Sequence, residues 1–207
     1  MDLLYAKFLA GAALISLSGV MAPGPLAAVT VGKGSESPHA GIFIALGHGM
    51  VELPLMAAVL FGFGYVFTLP GVKPAVGFAG GIVLLFMAAG MLRSLRGGEL
   101  TAARDGRSPL ASGVILTAAN PYFLIWWATV GASMVVESAG FGAAGVAVFM
   151  AMHWLCDFGW SWALSALSFR GGAFFGDRFQ KGVCAVSGVV LAFFGLKFIY
   201  EAITILL

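Results

Sequence analysis

The run GIFIALGHGMVELPLMAAVLFGFGYVF, from Gly41 to Phe67, contains one acid, Glu52, one histidine, His48, and no lysine or arginine. A helix crossing the hydrocarbon of a bilayer needs about 20 consecutive apolar residues, and this run exceeds that length. Its two ionisable groups are therefore interruptions inside a lipid-spanning segment. Working outward, comparable runs occupy Phe8 to Val31, Val72 to Leu92, Ala111 to Val136, Phe141 to Phe169 and Gly182 to Leu207. Together they take up most of the 207 residues, of which 60% are hydrophobic and 10% charged, where soluble domains average about 25% charged. The expected fold class is an all-α integral membrane protein with six transmembrane helices in a single domain, residues 1–207. A first repeat of about 1–92 and a second of about 111–207 flank a loop, 93–110, that is too short to fold alone.

The first apolar run is preceded by Met1, Asp2 and the single Lys7, is longer than a signal-peptide core and lacks a persuasive cleavage site, so it is read as helix one. Basic residues then set the topology. The connections after helices one, three and five carry Lys33, Arg93, Arg96, Arg104, Arg107, Arg170, Arg178 and Lys181, whereas the opposite side has Lys7 and Lys73. The positive-inside rule places the first set in the cytoplasm and both termini outside, in a cytoplasmic (inner) cell membrane. Cys156 and Cys184 have no C-x-x-C spacing and read as packing residues.

Halves of three helices each lie in opposite orientations, so an echo between them implies an inverted repeat. Helix one is broken by Pro23-Gly24-Pro25 and helix four by Asn120-Pro121; helix two has His48 and Glu52, and helix five His153 and Asp157. Gly81-Ile82-Val83-Leu84-Leu85-Phe86 in helix three is answered by Gly188-Val189-Val190-Leu191-Ala192-Phe193 in helix six.

Each acid at mid-membrane costs on the order of 2.5 to 3.5 kcal/mol on insertion scales, which packing alone does not repay. At about 1.5 Å per residue, Glu52 and Asp157 lie roughly 16 Å from the cytoplasmic ends of their helices, with Pro23 and Pro121 about 12 and 15 Å from the same boundary. Each histidine precedes its acid by four residues, on one helix face; Ser161 and Ser165 extend the second stripe. The prolines lack an N–H and free backbone groups that lipid cannot satisfy. Either Ser16, Ser18 or Thr117 patches those kinks, or the unwound segments hold the ends of a substrate; paired breaks in mirror helices favour the second reading.

Trp126, Trp127, Trp154, Trp160 and Trp162 read first as an interfacial belt, with some free to face an ammonium group. Gly77 and Gly81 suit close helix packing, and Lys197 with Glu201 reads as a snorkelling pair. Gly32-Lys33-Gly34-Ser35 has glycine where a phosphate loop needs Ser or Thr. Zinc-protease, serine-hydrolase and nucleotide-binding motifs are missing too, so neither an enzyme nor a cofactor is expected.

The Gly19-Val20-Met21-Ala22-Pro23-Gly24-Pro25 segment, followed by Gly41 to Gly49 and by Ala119-Asn120-Pro121, resembles the lysine exporter (LysE/RhtB) family of amino-acid efflux proteins over the whole chain. The resemblance implies a secondary transporter that exports amino acids or related small metabolites across the cytoplasmic membrane, with Pro23, Gly24, Pro25, Asn120 and Pro121 as family-motif positions. It also implies a wider group that includes cadmium and manganese exporters. The expected mechanism is alternating access around a midplane cavity. Free N–H groups near Gly24 together with Asn120 would hold an amino acid's carboxylate, and Glu52 or Asp157 would face its ammonium and exchange protons. His48 and His153 complete the expected binding set. The main alternative is a divalent-metal exporter, with His48, Glu52, His153 and Asp157 as four ligands. Expected partners are a small-molecule substrate and the lipid bilayer, with no nucleic acid; a homodimer is left open.

Overall fold

A computed structural model describes residues 2–21, 24–63, 66, 69–95, 107–175 and 177–206. Pro23, Arg96, Arg104 and most of the 93–110 loop lie outside the described residues, as does the side chain of Cys184. The described residues are helical, with no strand among them. In chain order the helices are α1 (Asp2–Val20), α2 (Pro25–Gly34), α3 (Ala40–Leu60), α4 (Val72–Ser94), α5 (Pro109–Ala118), α6 (Pro121–Trp126), α7 (Ala132–Ala139), α8 (Gly142–Phe175) and α9 (Asp177–Leu206). Three segments, Ala40–Leu60, Gly142–Ala173 and Gly188–Ile205, are each long and apolar enough to cross a membrane unaided.

Local chemistry accounts for the interruptions. Proline at the first helical position forfeits a hydrogen bond that position does not need, so Pro25, Pro109 and Pro121 each start a new helix. Ser108 caps α5 by accepting from the Ala111 N–H. Between α6 and α7 the backbone widens into a π turn, Trp127–Gly131. There the missing side chain of Gly131 makes room for the Trp127 ring.

Several boundaries differ from the apolar runs. The second run was expected to extend to Phe67, but α3 stops at Leu60 because Gly62 turns the chain at φ 87°, a left-handed conformation suited to glycine. α8 continues to Phe175, past the expected Phe169, and α9 begins at Asp177 rather than Gly182. Helical hydrogen bonding there continues beyond the apolar run, which marks hydrocarbon rather than helix. Pro54 stays inside α3 and withholds the hydrogen bond that the Met50 carbonyl would accept, with Glu52 midway between the two.

α4 runs along α9 in the most extensive pairing; α3 packs on α5 and α8, and α8 packs in turn on α1 and α2. Two apolar clusters result. Val29, Ile44, Leu84, Met87, Leu116 and Leu191 belong to one, and Phe8, Leu55, Met56, Trp127, Met134 and Phe149 to the other. Along α3, Ile44 falls in the first and Leu55 in the second. His48 and Glu52 lie between them, in a polar layer. Leu14, Phe86, Leu155 and Phe193 face outward, as lipid-facing side chains should.

Candidate functional site

Four ionisable side chains meet in that layer. α3 supplies His48 and Glu52, α8 supplies His153 and Asp157, and all four are buried. His48 Nε2 lies 3.1 Å from Glu52 Oε1 and 3.5 Å from Asp157 Oδ1. His153 Nε2 lies 3.3 Å from the same Glu52 oxygen and 3.5 Å from Asp157 Oδ2. The i,i+4 spacing predicts two pairs, one per helix. The close approach of α3 and α8 makes them a single ring in which each histidine touches both acids. Gly41 permits that approach, since any side chain there would strike the Ser161 carbonyl.

The outer nitrogens of the two imidazoles are held alike. His48 Nδ1 is 2.7 Å from Thr117 Oγ1, and that hydroxyl donates its proton to the Gly113 carbonyl one turn back. His153 Nδ1 is 2.7 Å from Ser16 Oγ, whose proton goes to the Ala12 carbonyl. A hydroxyl has one proton, so each oxygen must accept from the imidazole, which places a proton on both Nδ1 atoms. Both Nε2 atoms are then left facing carboxylates, and each nitrogen needs a proton of its own to donate to them. With two protons shared around the ring its net charge is zero, the composition that burial costs least. Patching the helix breaks is the less favoured reading of Ser16 and Thr117, and their hydroxyls instead orient the histidines. Thr117→Val is expected to slow transport roughly tenfold, by analogy with lost outer-shell partners of histidine, and to shift its pH profile, with Thr117→Ser restoring both. An unchanged pH profile in Thr117→Val would remove the orienting role.

Trp127 belongs to this site rather than to an interfacial belt. It is fully buried, and its Nε1 donates to Glu52 Oε1 at 3.2 Å. Its ring meets that of His153 edge-on at 4.9 Å, while Phe123 meets His48 at 5.2 Å. Glu52 Oε2 and Trp160 Nε1 are buried with no hydrogen-bond partner.

The ring opens into a cavity of about 310 Å³ whose lining includes Gly24, Pro25, His48, Glu52, Asn120, His153 and Asp157, together with Trp126, Trp127, Trp160 and Ser161. Pro121 is buried at the start of α6 and is not part of the lining. The two breaks differ in chemistry. Asn120 Oδ1 accepts from the Tyr122 and Phe123 N–H groups, so its carbonyl is spent on capping α6 and only its NH₂ is left for a ligand. Gly24 is extended and no side chain caps α2, so the Leu26 and Ala27 end of α2 faces the cavity as an anion-attracting helix N-terminus. Elsewhere, Ser165 Oγ donates to the Pro38 carbonyl rather than extending the polar stripe. Lys33, expected in a loop, is buried in the last turn of α2 with Nζ donating to the Arg107 carbonyl. Tyr122 donates to Glu201, which pairs with Lys197 at 3.8 Å.

A helical protein with an apolar exterior and a buried polar cavity among interrupted helices has the makings of a membrane transporter. The LysE type translocator family model matches residues 17–202, and the chain belongs to that family of transporters, which are not enzymes. It is 25% identical over 193 residues, 89% of this chain and 91% of the relative, to the Bacillus subtilis (strain 168) protein named "Putative amino acid efflux protein YcgF". No solved structure matches the chain.

Proposed function

We propose that the protein exports an amino acid across the cytoplasmic membrane by alternating access, exchanging it for protons held on the His48–Glu52–His153–Asp157 ring. The observation that carries this reading is the polarity of the cavity. One wall presents the uncapped N-terminus of α2, which attracts an anion, and another presents Glu52 and Asp157, which attract a cation. A free amino acid carries both charges. The volume, at the small end of ligand pockets, suits one such molecule. Arrival of the ammonium beside Glu52 makes a ring proton redundant, and its departure restores the need for one. Occupancy and protonation then alternate.

Two inverted halves, 1–92 and 111–207, supply the moving parts. Supporting this are the separation of α1 from α2 and of α5 from α6, the matching hydroxyl anchors on α1 and α5, and the placement of one His/acid pair in each half. Both termini face outward in this arrangement. The cavity lies within one chain, so a homodimer would carry two such routes.

Counterflow in proteoliposomes tests the proposal. Vesicles preloaded with one unlabelled amino acid should accumulate that labelled amino acid, and vesicles loaded with a divalent cation should not accumulate its label. Counterflow of the cation alone would replace this reading with the metal exporter.

A further inference from the structure

Building on the transport reading above, we propose that the exported amino acid has an uncharged, apolar side chain and that Trp160 binds its carboxylate. Two atoms of the cavity lining, Trp160 Nε1 and Glu52 Oε2, are buried with no hydrogen-bond partner. A buried polar group left unsatisfied is costly, and in a native structure it calls for an explanation. The two are opposite in kind. An indole N–H only donates, and an ionised carboxylate only accepts. An ammonium group satisfies Glu52 but not Trp160, and a carboxylate satisfies Trp160 but not Glu52. A molecule carrying both groups satisfies both at once.

Trp160 lies one turn beyond Asp157 on α8, and the Leu26 and Ala27 end of α2 lines the same cavity. The helix end attracts an anion without fixing its place. The indole N–H adds a directed donor on a second helix, so a carboxylate would be held from α2 and α8 together.

The rest of the lining selects the side chain. Leu26, Leu164, Phe194 and Trp126 supply apolar walls, and Thr30 Oγ1 gives its proton to the Leu26 carbonyl. Among the described residues the lining has no lysine or arginine, and no acid besides Glu52 and Asp157. Those two acids share one spot, each within 3.5 Å of both histidines, so together they receive a single ammonium. The second cation of a lysine, a side chain's length away, would be buried against apolar walls. The second carboxylate of a glutamate would meet no cation. Either burial is expensive, whereas an aliphatic side chain gains from leaving water. Apolar walls with a few placed polar groups are the usual build of a small-molecule site.

The test pairs transport with binding. Counterflow in proteoliposomes is measured with labelled leucine, serine, lysine and glutamate, and binding to the protein in detergent is read as the rise in melting temperature with each. Leucine should be accumulated at least about tenfold faster than the other three, the scale of burying its side chain, and should give the largest rise. Trp160→Phe keeps an aromatic ring and removes the N–H. It should weaken leucine binding at least about tenfold, as expected for a hydrogen bond to a charged group, and leave binding of 3-methylbutylamine, which is leucine without its carboxylate, unchanged. Equal losses for the two compounds, or no loss for leucine, would overturn the role of Trp160. If the variant does not fold, the wild type still decides, because binding the amine as tightly as leucine would overturn the carboxylate contact. Serine, lysine or glutamate moving as fast as leucine would overturn the substrate class and leave the transport reading standing. A leucine-specific rise in melting temperature with no counterflow of any amino acid would overturn the transport reading and leave the site, and neither binding nor counterflow would overturn both.

Discussion

Glu52→Gln will reduce amino-acid transport at least about 100-fold, equivalent to roughly 3 kcal/mol, the scale of breaking a buried charge pair, while leaving the protein folded. Glutamine keeps the shape of the side chain and can accept the Trp127 N–H that Glu52 Oε1 accepts at 3.2 Å. It cannot take up a proton, and it leaves a neutral amide oxygen in place of the charged one that lies 3.1 and 3.3 Å from the two histidines. The ring then holds one carboxylate for two imidazoles, and its neutral form has only one shared proton to exchange. Initial rates in proteoliposomes, with thermal melting in detergent as the folding control, read this out. Transport within threefold of wild type would show that the ring is structural.

Gly113→Val will destabilise the protein by roughly 3 kcal/mol, the upper end of the usual cost of overpacking, lowering the melting temperature by about 10 °C. α5 lies so close to α3 that a side chain at Gly113 would strike the Ile44 carbonyl, and one at Gly47 would strike the Leu110 carbonyl. Each obstacle is backbone within a helix, which cannot yield as the end of a side chain can. Displacing α5 also carries away Thr117, whose hydroxyl accepts from His48 and donates to Gly113 itself. Transport by the surviving folded fraction should therefore fall as well. An unchanged melting temperature in detergent would contradict the close α3–α5 contact.

The parts legible in the sequence are those whose cost is local. An acid or a proline in an apolar run is anomalous wherever the helix packs, so Glu52, Asp157, Pro25 and Asn120 stand out without a partner. Features that depend on which helices meet do not. Nothing local separates Trp127 from Trp154 or Trp162; the π turn and the vacancy at Gly131 carry it to Glu52. Ser16 and Thr117 are two hydroxyls among many, and their role follows from α1 lying on α8 and α5 on α3. The spacing of His48 to Glu52 gives a pair, but the crossed contact from His153 to Glu52 requires both helices in place. Capping by Asn120 is a further case: the same side chain reads as a ligand or as a helix cap, and its Oδ1 caps.

Proton movement driven by the substrate is the closest test of the ring as the exchange site. Proteoliposomes with a trapped pH-sensitive dye are given an amino-acid gradient and no other driving force. The wild type should move protons opposite to the amino acid and shift the internal pH, and Glu52→Gln with Asp157→Asn should not. Amino-acid movement by the wild type with no change in internal pH would contradict the account.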